Sequence, residues 1–94
     1  MPRAVRLGDN CSGHGCFPPR PTNSASDTVI INNRGAHRLG DSLASHCCKT
    51  CHTGTTIGGS STVFINNRPA ARVGDQVTCG SVLQEASDNV EIGG

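Results

Sequence analysis

The sequence predicts an all-β domain: three β-hairpin repeats closed into a pseudo-threefold ring, with the loops between them tied by a metal at one end. Three observations predict it: a turn-rich composition, a phrase that recurs along the chain, and His and Cys concentrated between the recurrences. Twelve Gly and five Pro in 94 residues, beside many Ser, Thr and Asn, favour turns and short strands over helices. Such a length allows one small domain, read here as 1–94. Its core must be thin, because the hydrophobic content is 34% and the aromatics are two Phe. A metal, disulfides or a partner is therefore expected to help hold it together.

The elements follow from the recurring phrase. "RLGD" stands at 6–9 and 38–41, and "RVGD" at 72–75. Its front half recurs as "DTVIIN" from Asp27, "STVFIN" from Ser61 and "DNVEIG" from Asp88. Segments 28–41 and 62–75 are identical at ten of fourteen positions. The N-terminal "MPRAVRLGD" is a back half without a front, and the C-terminal "SDNVEIGG" a front half without a back. Together they complete a third unit, so the two termini are expected side by side. A small β-sandwich containing a duplication is the other reading, but it leaves both half-units unexplained.

Within a unit, "TVIIN" or "TVFIN" is a short β-branched strand. "NN" is a two-residue turn, since Asn tolerates the positive φ such turns require. "AHRLGD" or "AARVGD" is the return strand, closed by Gly-Asp. Asp9, Asp41 and Asp75 are read as turn caps rather than catalytic acids. A lone hairpin is marginal in water, so the three must pack together.

The first loop is "DNCSGHGCFPPRPTNSAS", the second "DSLASHCCKTCHTGTTIGGSS", the third "DQVTCGSVLQEAS". All three leave a Gly-Asp corner, so a threefold arrangement brings them to the same end. That end would gather His14, His46, His52, Cys79 and further thiols, a donor set suited to tetrahedral zinc. Without a signal peptide and with four His beside the six Cys, metal ligation precedes a disulfide framework as an explanation. Three His with Cys79 is the favoured ligand set, and Cys47, Cys48, Cys51 and Cys79 the rival. His37 lies inside a hairpin where the sister unit has Ala71, and is not expected to ligate. Cys11 could pair with Cys16, and Cys47 or Cys48 with Cys51; sequence does not choose.

These residues resemble a known family. "RPAARVGD" contains the tetrapeptide Pro69-Ala70-Ala71-Arg72, and the chain looks like a PAAR-repeat protein, the spike tip of type VI secretion systems and contractile phage tails. The resemblance extends to "GHG" in loop one, "CGS" in loop three and the closing "NVEIGG". It departs from the usual pattern in its degenerate "PRAVR" and "RGAHR", in "NN" for Asn-Gly, and in the extra thiols of loop two. The resemblance implies a small pseudo-threefold β cone with a structural zinc at the vertex, held by His14, His46, His52 and Cys79. It implies a base that caps a trimeric β-helical spike, VgrG-like or phage central spike, one copy per trimer, and a tip sharpened for membrane puncture. An effector or adaptor could dock on the outer face. The candidate base residues are Val29, Ile31, Val63, Ile65, Val90 and Ile92; plain core packing is their other reading.

Other functions fit less well. A net charge of +1 gives no footprint for nucleic acid. No apolar run reaches membrane-spanning length, and "MPRAVRLGDN" is not a signal peptide. The chain is expected to be made in the cytosol and delivered outward with its spike, secreted or virion-associated, with any cargo effector a separate protein. Four protein ligands would close the zinc site, which argues against an enzyme. A small thiol-rich zinc-binding or redox protein is the alternative.

Overall fold

A computed structural model describes residues 2–93. The body measures 38 × 23 × 22 Å and, among the described residues, contains strands and turns but no helix. Two hairpins stand where the repeats predict them: β1 (Ile30–Ile31) with β2 (Arg34–Gly35), and β5 (Phe64–Ile65) with β6 (Arg68–Pro69). Asn32 and Asn33 have φ of 53° and 68°, and Asn66 and Asn67 53° and 66°. Positive φ at both central positions matches the twist of the flanking strands. The Asn side chains also lace one unit to the next: Asn66 Nδ2 donates to Thr28 Oγ1 and Asn32 Nδ2 to Asn89 Oδ1.

The third hairpin is made by the termini. Arg3 pairs with Glu91, Ala4 N–H donates to Val90 C=O at 2.8 Å, and Ile92 N–H to Pro2 C=O at 2.8 Å. The same bond joins Ala36 to Val29 and Ala70 to Val63, each at 2.9 Å. On the axis the units share a closed triangle of backbone bonds. Val5 N–H donates to Ala71 C=O, Ala71 N–H to His37 C=O, and His37 N–H to Val5 C=O, at 3.0–3.2 Å. All three residues are buried, so each donor must find a partner within the chain, and threefold repetition supplies it.

Two further sets repeat with the ring. Ser26, Ser60 and Ser87 are buried, and the hydroxyl of each accepts the N–H groups two and three residues on, fixing the entry to each front strand. Asp9, Asp41 and Asp75 cap their corners as expected. Each accepts the backbone N–H and the guanidinium of the Arg three residues earlier: Arg6, Arg38 and Arg72.

Among the described residues the thin core has two clusters. One, formed by the hairpins, holds Ala4, Ala36, Ala70, Ile65 and Ile92, with Ile31, Val63 and Val90 partly buried against it. The other gathers Val5, Ala71 and residues that follow the Gly-Asp corners: Cys11, Leu43, Val77 and Leu83. Ile65 and Ile92 are thus core residues, whereas Val29 is exposed. His37 fills the space between units: Nδ1 lies 2.9 Å from Ser24 C=O and Nε2 2.7 Å from Thr56 Oγ1. Burial holds its pKa below the ordinary imidazole value, with Arg38 and Arg68 adding to that and Ser24 and Asp41 opposing it.

The second loop departs from the expectation. It is itself a hairpin, β3 (Ser42–Cys48) against β4 (Thr50–Thr55), turned at Lys49 with φ of 70°. Its sequence is polar and carries few β-branched apolar residues, so periodicity did not reveal it. Cross-strand pairs hold it instead.

Candidate metal centre

The β3–β4 ladder places its ligand candidates by register. His46 pairs with His52, Cys47 with Cys51, and Cys48 with Thr50. Alternation puts His46, His52 and Cys48 on one face, and Cys47 and Cys51 on the other. His14 comes from a tight turn in loop one, where His14 and Phe17 exchange both backbone bonds, at 3.0 and 2.8 Å, around Gly15. Cys79 comes from the third loop, turned by Gly80 with φ of 100°.

These segments bring His14, His46, His52 and Cys79 together, with donor atoms all within 4.8 Å of one another. The three Nε2 atoms stand 3.2 Å (His14 to His46), 3.0 Å (His14 to His52) and 2.6 Å (His46 to His52) apart. Nitrogens on a tetrahedral ion keep roughly 3.3 Å between them, so the observed spacing lies on the short side of that. A proton shared between two rings would leave the third lone pair without a partner, whereas one cation satisfies all three. His46 Nδ1 sits 2.8 Å from Pro18 C=O, which fixes the proton on Nδ1 and frees Nε2 as a donor. His46 is buried, and His14, His52 and Cys79 are partly so. Partial desolvation, then the neighbouring His46 and His14, lower the pKa of His52, favouring the neutral ring a metal needs.

Phe17 was not singled out in the sequence, yet it packs against the cluster. Its ring lies 4.8 Å from His14, 4.9 Å from His46 and 4.3 Å from His52, centroid to centroid. A lone Phe beside two Pro gives no signal of this placement. His37 stands outside the cluster.

The model of the PAAR motif aligns with residues 12–85. The chain belongs to the PAAR-motif family. It is therefore a spike-tip-type protein of contractile injection systems, with a structural role and a spike-type partner, and its fold is the small PAAR cone. A comparison with curated proteins finds no match.

Within this PAAR domain the remaining thiols settle the open pairings. Cys47 bonds to Cys51, one of the expected pairs. Cys16 bonds to Cys48 rather than to Cys11, because the His14–Phe17 turn presents Cys16 to β3 while Cys11 is buried in the core. In this disulfide-bonded form Cys47, Cys48 and Cys51 do not stand as a rival ligand set with Cys79. The Cys16–Cys48 bridge spans 32 residues, which removes about 3–4 kcal/mol of unfolded-chain entropy in the loop-closure model.

Gly13 sets the approach of His14. Its φ is 74°, and a Cβ there would lie 2.6 Å from Phe17 O and 2.9 Å from Pro18 C and Pro19 N, all backbone atoms. Gly13→Ala is expected to destabilise the chain by about 1–3 kcal/mol and to weaken metal binding about tenfold. Thermal melting and competition against a chromogenic chelator check this.

Proposed function

We propose that this chain is the zinc-stabilised tip that caps a trimeric β-helical spike, VgrG-like or phage, one copy per trimer, and sharpens it for membrane puncture. The observation that carries the reading is the threefold backbone ring, which lets one chain meet three equivalent surfaces. His14, His46, His52 and Cys79 hold zinc as a closed, structural site at the apex. Imidazole and thiolate suit zinc, and the Phe17 ring packs beside the cluster.

The base carries the other half of the reading. The front strands place Ile30, Phe64 and Glu91 at equivalent positions, and among the described residues none of the three bonds to a neighbouring unit through its backbone. Such edges pair readily with further strands. Val29, Ile31, Val63, Ile65, Val90 and Ile92 alternate with them. Ile65 and Ile92 act as the floor of the core, and the partly exposed Ile31, Val63 and Val90 offer apolar surface to the spike. Ile30 and Phe64 are 56% and 57% exposed and flank the same edges, which the sequence did not foretell.

Phe64→Pro tests the docking. Proline at an edge strand removes an outward N–H without breaking the hairpin ladder. The variant is expected to keep its fold and metal, and to bind the trimeric spike at least about tenfold more weakly. Native mass spectrometry of the mixture should show one tip per three spike chains for the unmodified protein. Unchanged affinity for Phe64→Pro, or another stoichiometry, would contradict edge docking on a trimer.

A further inference from the structure

The apex carries two kinds of staple, and they sit on the same residues. Cys16 lies two residues from His14, and Cys48 two residues from His46. Cys47 adjoins His46, and Cys51 adjoins His52. The Cys16–Cys48 bond ties the His14 turn to β3, and the Cys47–Cys51 bond locks β3 to β4 one rung beyond the His46/His52 pair. Each disulfide therefore fixes a connection that the metal also fixes.

We propose that Cys16, Cys47, Cys48 and Cys51 are an oxidative modification site that takes over the metal's structural task. In the reduced chain the metal alone closes the apex, and once both disulfides have formed the apex stays closed without it. This rests on the metal-centre reading above. The order of events follows from accessibility. Cys16, Cys47 and Cys51 are exposed and Cys48 is half-buried, whereas Cys11 is buried. Cys79 is engaged by the metal, so a loaded, reduced chain presents the four outer thiols to an oxidant and withholds the two that would mispair. The fitting oxidant is a protein or small-molecule disulfide. Each pair of thiols gives up two electrons and two protons. An S–S bond forms through a mixed disulfide, and the oxidant's disulfide becomes a dithiol. Reducing compartments keep the first state and oxidising ones produce the second. Oxidation also removes four thiolates that would compete with His14, His46, His52 and Cys79 for the ion.

The test compares four preparations: reduced or oxidised with glutathione disulfide, each zinc-loaded or stripped by a chelator. Mass spectrometry counts zinc and disulfides, peptide mapping assigns the bonds, and hydrogen exchange follows segments 12–20 and 42–55. Stripping is expected to lower the melting temperature of the reduced chain by roughly 10 °C or more and to deprotect both segments. The oxidised chain should lose less than about half of that and keep its protection. Oxidation of the loaded chain should yield Cys16–Cys48 and Cys47–Cys51, and oxidation of the stripped chain should yield products containing Cys79. Cys16→Ser combined with Cys47→Ser, after oxidation, should respond to stripping as the reduced chain does. If zinc binds but stripping opens both redox forms equally, the takeover is wrong and the metal centre stands. If neither form binds zinc, both readings fall.

Discussion

Asp41→Ala is expected to lower stability by about 3–5 kcal/mol, the range for breaking a buried ion pair by removing one partner. The Asp41 side chain is 3% exposed. It accepts Arg38 N–H at 2.9 Å, Arg38 Nε at 2.8 Å and Nη2 at 3.0 Å, and Arg68 Nη2 at 2.9 Å. Removing it strands the Arg38 guanidinium, itself 13% exposed, and a backbone N–H at a corner. The Arg68 contribution is smaller, because that side chain is 39% exposed and screened by water. Asp75→Ala should cost less. Its ring-equivalent of Arg34 and Arg68 is Pro2, so Asp75 has Arg72 but no second guanidinium corresponding to theirs. Urea denaturation at neutral pH compares the two variants, and equal losses would show that the second Arg contributes nothing.

The same carboxylate sets an acid limit. Burial opposes the charged form of Asp41, but hydrogen bonds from the Arg38 side chain and backbone, with the charges of Arg38 and His37, outweigh it and hold its pKa below 3.8. The folded state thus prefers the ion. Its contribution is complete above pH 3.8 and is lost as pH falls through the lower folded value. His37 acts earlier: burial holds its folded pKa below 6.5, so protons favour the unfolded chain as pH falls from 6.5.

Much of this was legible because a ring repeats itself in sequence. Units that occupy equivalent places face equivalent constraints, so the Gly-Asp corners, the Asn-Asn turns and the split terminal unit all showed as recurrences. The His14, His46, His52 and Cys79 cluster was legible through the same symmetry, since segments leaving equivalent corners must meet. The failures lie where symmetry is absent or the signal is a single small residue. The β3–β4 hairpin has no counterpart in the other units, and its polar strands are held by cross-strand pairs that leave no periodic mark. The Cys16–Cys48 bond depends on which way the His14–Phe17 turn faces, a property of the fold and not of spacing. Ser26, Ser60 and Ser87 do repeat, but serine is common in turns and only its buried hydroxyl reveals the role. Ile65 and Ile92 read the same from sequence whether they line a base or fill a core. Burial separates those uses, and with so thin a core the same side chains can border both.

His46→Ala is expected to weaken zinc binding by at least about 100-fold, more than the 10–100-fold typical of losing only a supporting contact. His46 is the buried member of the donor set and stands nearest to another donor, 2.6 Å from His52 Nε2. Its ring is also the one oriented by a backbone carbonyl, so it offers its lone pair without reorganising. Alanine leaves three donors and a gap beside Phe17 that water can enter. His37→Ala is the control. It removes an imidazole of the same chain, with loss of the Ser24 and Thr56 bonds, so it should cost stability while leaving zinc affinity within a factor of about three. Chelator competition at pH 7.5 under reducing conditions measures both. Stability should separate them in the same way: saturating zinc should raise the melting temperature of His37→Ala as it does the unmodified chain, and raise that of His46→Ala little, because ligand-linked stabilisation scales with the logarithm of affinity. Equal affinity in the two variants would mean that the three ring nitrogens converge without holding an ion. The apex would then be a stacked aromatic cluster around Phe17, closed by its disulfides alone.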